Sequence, residues 1–183
     1  MTFTPSQLTG IVAVVTLLLD QWTKLLVLKF LGYAQERVVV DGFFKFVHWG
    51  NTGAAWSLFR DSNEFLTIVS LIALLFLFIF RRMFETQTRL GDIALGLVFG
   101  GIVGNIIDRL VRHHVVDFIY FYIYRRSGTE AGFPAFNIAD SGICVGVGLL
   151  FIISWEKEKQ MKRAATMPQS PGSQDHGTGT RLP

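Results

Sequence analysis

Four apolar stretches, each about as long as a bilayer-crossing helix, constrain this chain more than any other feature. A hydrocarbon core of about 30 Å takes roughly 20 apolar residues in a helix, and the stretches cover approximately 8–31, 65–83, 90–110 and 136–155. Lipid offers no partners to backbone amides, so each stretch must satisfy its own hydrogen bonds as a helix. The expected fold class is an α-helical polytopic membrane protein with four transmembrane helices. Half of the 183 residues are hydrophobic and only 17% are charged, which fits one membrane-embedded domain over 1–156. No basic region precedes the first stretch, and Asp20 and Lys24 stand inside it, so it reads as a retained span rather than a cleaved leader.

Charge placement suggests the orientation. Arg81, Arg82 and Arg89 crowd one short turn, and Lys157, Lys159, Lys162 and Arg163 follow the last span. The basic residues of the two long loops are diluted and offset by acids, so both termini are expected in the cytoplasm. The tail from 157 to 183, ending MPQSPGSQDHGTGTRLP, is rich in Pro, Gly, Ser and Gln and is expected to be disordered. The net charge of +3 carries no dense basic cluster, which leaves a nucleic-acid partner without support. The one cysteine, Cys144, excludes an intramolecular disulfide and reads as a packing residue.

Outside the membrane, β-branched and aromatic residues flank Asp41-Gly42, a favoured hairpin dipeptide, and VVDFIYFYIY alternates with a period of two. A small extracytoplasmic sheet is expected. Its tyrosines fit an interfacial belt, and equally a greasy platform for a lipid-bearing substrate. The segment Ser127 to Phe133 has the glycine and polar content of a mobile element.

The informative residues are the polar ones that the spans should not hold. An ionisable group at membrane depth costs roughly 2.5 to 3.5 kcal/mol on insertion scales, so each calls for a partner or a function. GNIIDRLVRHHVVDFIY contains Asn105, Asp108, Arg109, Arg112 and Asp117, and FNIADSGI contains Asn137 and Asp140 at i,i+3 spacing. The loop between these blocks leaves and returns on the outer side, so Asp117 and Asp140 can meet there. Two carboxylates close together in a dry place tend to share one proton, an arrangement suited to hydrolysing a peptide. Alone, either aspartate reads equally well as a helix cap or a solvated helix end; with Asn105, Asp108 and Asn137 at the same level, the shared site is the stronger reading.

Asp20 and Lys24, at i,i+4, are expected to pair with each other, and so are Asp108 and Arg112. Arg109 can reach another carboxylate or a lipid headgroup. Asn51, in WGNTGAAWS with Gly53, can hold an extended peptide or make a turn. Gly96, Gly100 and Gly104 form a small-residue face, repeated by Gly142 and Gly146, and close packing there brings Asn105 toward Asp140. His48, His113 and His114 lack the spacing of a zinc site, and neither metal nor cofactor is expected. A proton-coupled carrier would place its charges along a path across the bilayer, whereas these gather at one face.

The blocks LDQWTK, NTGAAWS, GGIVGNIIDRL, VVDFI and FNIADSGI, in this order, resemble the lipoprotein signal peptidase family, also called signal peptidase II. The resemblance spans about 8–156 and implies that Asp117 and Asp140 are catalytic. It implies supporting roles for Asp20, Lys24, Asn51, Gly53, Asn105, Asp108, Arg109, Phe136, Asn137 and Ala139. Trp56 stands where the family more often has phenylalanine. The function implied is that of an aspartic endopeptidase of the bacterial inner membrane, active as a monomer among membrane lipids. It would remove the signal peptide from diacylglyceryl-modified prolipoproteins, cutting just before the lipidated cysteine.

Overall fold

A computed structural model describes residues 3–53, 59, 61–84 and 88–166; Trp56 and the tail 167–183 lie outside them. The order is α1 (Pro5–Phe30), β1 (Glu36–Val40), β2 (Phe44–Asn51), α2 (Asn63–Phe84), α3 (Arg89–Arg112), β3 (Val115–Tyr124), β4 (Glu130–Gly132) and α4 (Ile138–Thr166). All four helices are long and apolar enough to cross a bilayer. Their starts follow local chemistry. Thr4 caps α1 through the Gln7 amide, with Gln7 returning the bond and Pro5 at the first turn. Thr88 likewise accepts from the Gly91 amide to open α3, and His113, at φ 60°, ends it in the left-handed region.

α3 is the central helix, with 61% of its apolar window buried against 11–17% in the other three. Glycine explains how two of the other helices approach it. A Cβ at Gly96, Gly100 or Gly104 would stand 2.5–2.7 Å from atoms of α1, namely Val12 Cβ and the Thr9 carbonyl, the Ala13 carbonyl, and Asp20 Oδ2. This face therefore packs on α1, and at its end a Cβ at Gly104 would also stand 3.5 Å from Ala139 Cβ of α4. The α4 contact uses Gly101, whose Cβ would lie 2.5 Å from the Ala139 carbonyl, and Gly146, whose Cβ would lie 2.6 Å from the Ala94 carbonyl. Away from the sheet, Leu77 of α2 packs with Leu95 and Val98, and Leu150 of α4 joins them. Gly101→Ala drives a methyl into backbone beside Asp140 and is expected to destabilise by about 1–3 kcal/mol. Thermal unfolding in detergent checks this, and an unchanged midpoint would count against the close α3–α4 seam.

α4 runs to Thr166, past the end at 155 expected from hydropathy and into the stretch expected to be disordered. The residues after Trp155 are polar but good helix formers, and Glu158 pairs with Lys162 at 2.6 Å across one turn.

The strands form one antiparallel sheet in the order β1-β2-β3-β4. The Asp41-Gly42 turn forms with Gly42 at φ 71° and with the Phe43 amide donating to the Val40 carbonyl. The tyrosines of β3 turn to one side and Ile119, Phe121 and Ile123 to the other. Tyr122, only 2% exposed, stacks on Tyr120 at 5.9 Å, while Ile123 is 62% exposed. The segment expected to be mobile takes the form of a hairpin. Glu130 of β4 and Glu36 of β1 clasp the buried Lys45 Nζ at 2.8 and 2.6 Å, and the ammonium sits 4.7 Å from the Tyr122 ring centre.

Candidate active site

The site forms where β3 leaves α3 and where α4 begins. Asp117 lies opposite Trp49 in the β2–β3 ladder and is 3% exposed, between the buried Val116 and Phe118. The chain from 133 to 136 returns along β3. Phe136 exchanges backbone bonds with Ile119 at 2.9 and 3.1 Å, and this delivers Asn137 next to Asp117.

Asn137 then serves two elements. Its Oδ1 accepts from the Asp140 amide at 2.9 Å while Asp140 Oδ2 accepts from the Asn137 amide at 3.2 Å, a reciprocal cap that starts α4. Its Nδ2 donates to Asp117 Oδ1 at 2.8 Å. One residue thus holds both carboxyl groups, Asp117 through its side-chain NH₂ and Asp140 through its backbone amide. The remaining oxygens accept from other asparagines, Asp117 Oδ2 from Asn51 at 2.9 Å and Asp140 Oδ1 from Asn105 at 2.8 Å. Among the described residues, every donor that touches the pair is a neutral amide. Burial, followed by the charge of Asp140, pushes the Asp117 carboxyl up to about 7, against the opposing pull of the bonds from Asn51 and Asn137.

Behind the pair lies a buried charge cluster. Lys24 Nζ contacts Asp20 Oδ2 at 2.8 Å, Asp108 Oδ2 at 2.9 Å and Asn105 Oδ1 at 3.1 Å, which uses all three of its protons. The contact to Asn105 decides which way that amide faces, leaving its NH₂ for Asp140. Asp108 also binds Arg112 at 2.6 Å and the Val116 amide at 3.1 Å, and Asp20 Oδ1 takes the Ala139 amide at 2.9 Å. These two carboxylates thereby tie α1 and α3 to the strand and the helix that carry Asp117 and Asp140.

A cavity of about 500 Å³ opens at the pair, lined among others by Asn51, Gly53, Asn105, Arg109 and Asp140. Arg109 Nη2 reaches the Gly53 carbonyl at 3.5 Å, and Asn63 of α2 donates to the Arg109 carbonyl at 3.2 Å. The candidate residues thus divide. Asn51, Gly53, Asn105, Arg109 and Asp140 face the cavity, Asp117 and Asn137 join them by hydrogen bonds, and Asp20, Lys24 and Asp108 lie fully buried behind. Two residues escaped the reading of the sequence. Gln21 donates to Asp20, Asp108 and the Gly104 carbonyl at 3.1–3.2 Å, and its position beside Asp20 was the available signal. Cys144 is exposed and lines the cavity one turn beyond Asp140, a spacing that argued against simple packing.

Four spanning helices, a small sheet at one end and a mainly apolar cavity that holds a few converging polar groups define a polytopic membrane enzyme. A bacterial membrane enzyme solved by the in meso method at 2.3 Å superposes with a TM-score of 0.65 at 30% identity, over 90% of this chain and 94% of the other. The particular family follows from the sequence: the signal peptidase (SPase) II family profile matches residues 12–156, and the chain belongs to that family. The lipoprotein signal peptidase of Anoxybacillus flavithermus is 36% identical over 83% of this chain and 88% of its own length. That of Geobacillus thermodenitrificans is 40% identical over 78% and 86%.

Proposed function

We propose that this protein is an aspartic endopeptidase that removes the signal peptide from diacylglyceryl-modified prolipoproteins, cutting just before the lipidated cysteine, with Asp117 and Asp140 as the catalytic pair. The observation that carries this reading is the pair itself, two carboxyl groups bound to one asparagine and, among the described residues, donated to by neutral amides and contacted by no cation. Such a pair favours holding one proton between its members. The ionised member takes a proton from water as the oxygen adds to the scissile carbonyl, and the protonated member polarises that carbonyl. A proton then passes to the amine as the carbon–nitrogen bond breaks. Asn51, Asn105 and Asn137 hold the carboxyl groups in place, and Arg109 and Gly53 offer polar contacts to an extended peptide. Both termini lie in the cytoplasm, with the site near the outer face. A cysteine placed at Lys159 in a Cys144→Ser background is expected to label only in opened cells, and labelling of intact cells would reverse this orientation.

The testing experiment is cleavage by the purified protein in detergent of a prolipoprotein with and without the diacylglyceryl group. Cutting of the modified form alone is expected; a folded sample that cuts neither would remove the proposal. Asn137→Ala deletes one hydrogen bond to Asp117 and the cap of α4, and bonds to a charged group are worth about 1.5–3 kcal/mol. It is expected to lower kcat about 10- to 100-fold while leaving measurable cleavage, and unchanged kinetics would strip Asn137 of the positioning role.

A further inference from the structure

At the end of the bundle opposite the carboxyl groups, α1 and α2 both lean on α3 and leave a cleft of about 270 Å³ between them. Its walls include Gly10 and Ala13 from α1, Phe78 and Arg81 from α2, and Leu95 and Phe99 from α3. Gly10 differs from the glycines of α3, because a Cβ built there meets nothing within 4 Å. Its lack of a side chain therefore serves no helix seam and keeps the slot open. Phe78 is 57% exposed, so the slot faces the apolar interior of the bilayer.

Arg81 stands at the end of the apolar window of α2, where a span meets the headgroup layer. Its guanidinium lies over the Phe78 ring at 4.9 Å and pairs with no carboxylate among the described residues. A planar fork of donors at headgroup depth, above an apolar slot, matches a phosphate carried on an acyl chain. We propose that the α1–α2 cleft binds one anionic glycerophospholipid, its phosphate on Arg81 and one acyl chain along Gly10, Ala13 and Phe99. The Thr9 hydroxyl is engaged with the Asp92 carbonyl at 3.2 Å and adds nothing to the headgroup. The site lies far from the catalytic cavity and does not depend on what the protein cleaves.

The test uses the delipidated full chain in mixed micelles with dioleoyl phosphatidylglycerol or dioleoyl phosphatidylcholine, with bound lipid counted by mass spectrometry of the intact complex. The native protein is expected to retain one phosphatidylglycerol with about fivefold preference over phosphatidylcholine, the factor for one basic contact at a membrane surface. Arg81→Gln should remove the preference, whereas Lys159→Gln, which leaves the cleft untouched, should keep it. Gly10→Phe should displace both lipids with the lipid-free thermal midpoint unchanged. Equal retention of the two lipids by the native protein, or a preference that survives Arg81→Gln, would overturn the proposal.

Discussion

Asp117→Asn and Asp140→Asn are each expected to lower cleavage of a diacylglyceryl-modified prolipoprotein by at least about 10³-fold, within the range that acid–base groups contribute, while leaving a folded protein. An amide keeps the size of the carboxyl group but can neither take a proton from water nor return one to the amine. Folding has its own signature. Asp117 accepts from Asn51 and Asn137 through separate oxygens, whereas asparagine has one acceptor and turns an NH₂ toward a donor. That mismatch costs about 1–3 kcal/mol. An offsetting gain depends on pH. The native Asp117 carboxyl titrates at about 7 against an ordinary value of 3.8, so the folded state keeps a proton that the unfolded chain releases in this interval. The stabilising contribution of this group is complete below the ordinary value and is lost as pH rises through about 7. Asp117→Asn has no such loss, so its stability deficit should narrow between pH 4 and pH 8. Native cleavage should also decline as pH rises past 7, when the pair gives up its shared proton. Kinetics and thermal unfolding across that range check all three statements, and a purified variant of either aspartate that cuts at a tenth of the native rate would refute the pair.

The largest loss of stability is expected from Lys24→Met. The methionine fills most of the space but leaves Asp20, its side chain 0% exposed, without a cation, and leaves the equally buried Asp108 with Arg112 alone. Removing one partner of a buried ionic group typically costs about 3–5 kcal/mol. The damage reaches the site because Lys24 also orients Asn105. Once Asn105 Oδ1 is released, the amide is free to turn over and present oxygen to Asp140. Lys24→Met should therefore unfold at a markedly lower denaturant concentration and cleave poorly even where it remains folded. Adding Asp20→Asn should restore part of the stability by removing one uncompensated charge. A loss below about 1 kcal/mol would mean that the two aspartates simply take up protons, and the cluster would then not be the ionic brace described above.

How much of this was legible in the sequence depends on the distance over which each interaction acts. The spans were legible because bilayer thickness converts into residue count, and the Asp41-Gly42 turn because two neighbouring residues determine it. The end of α4 was not, since hydropathy stops at Trp155 while the Glu and Lys residues that follow still favour a helix. Asp20 and Lys24 announced their pairing by spacing within one helix. The third member, Asp108, comes from another helix, and no local pattern joins 20, 24 and 108. The Lys45 clasp was hidden for the same reason, its two acids lying on β1 and β4. The glycine spacing announced a close approach, and Asn105 does meet Asp140, but a repeat of small residues does not say which helix approaches.

The double use of Asn137 bears on how such a site tolerates change. Because one amide both starts α4 and binds Asp117, the separation of the two carboxyl groups is decided within a few residues of the helix start. The segment that joins them, from the end of β3 to 135, takes no part in that spacing. Apart from Glu130, which holds Lys45, its composition can drift without altering that spacing. Under the proposed function, residues 133–135, which line the cavity, are thus set apart from the one asparagine that fixes the two carboxyl groups.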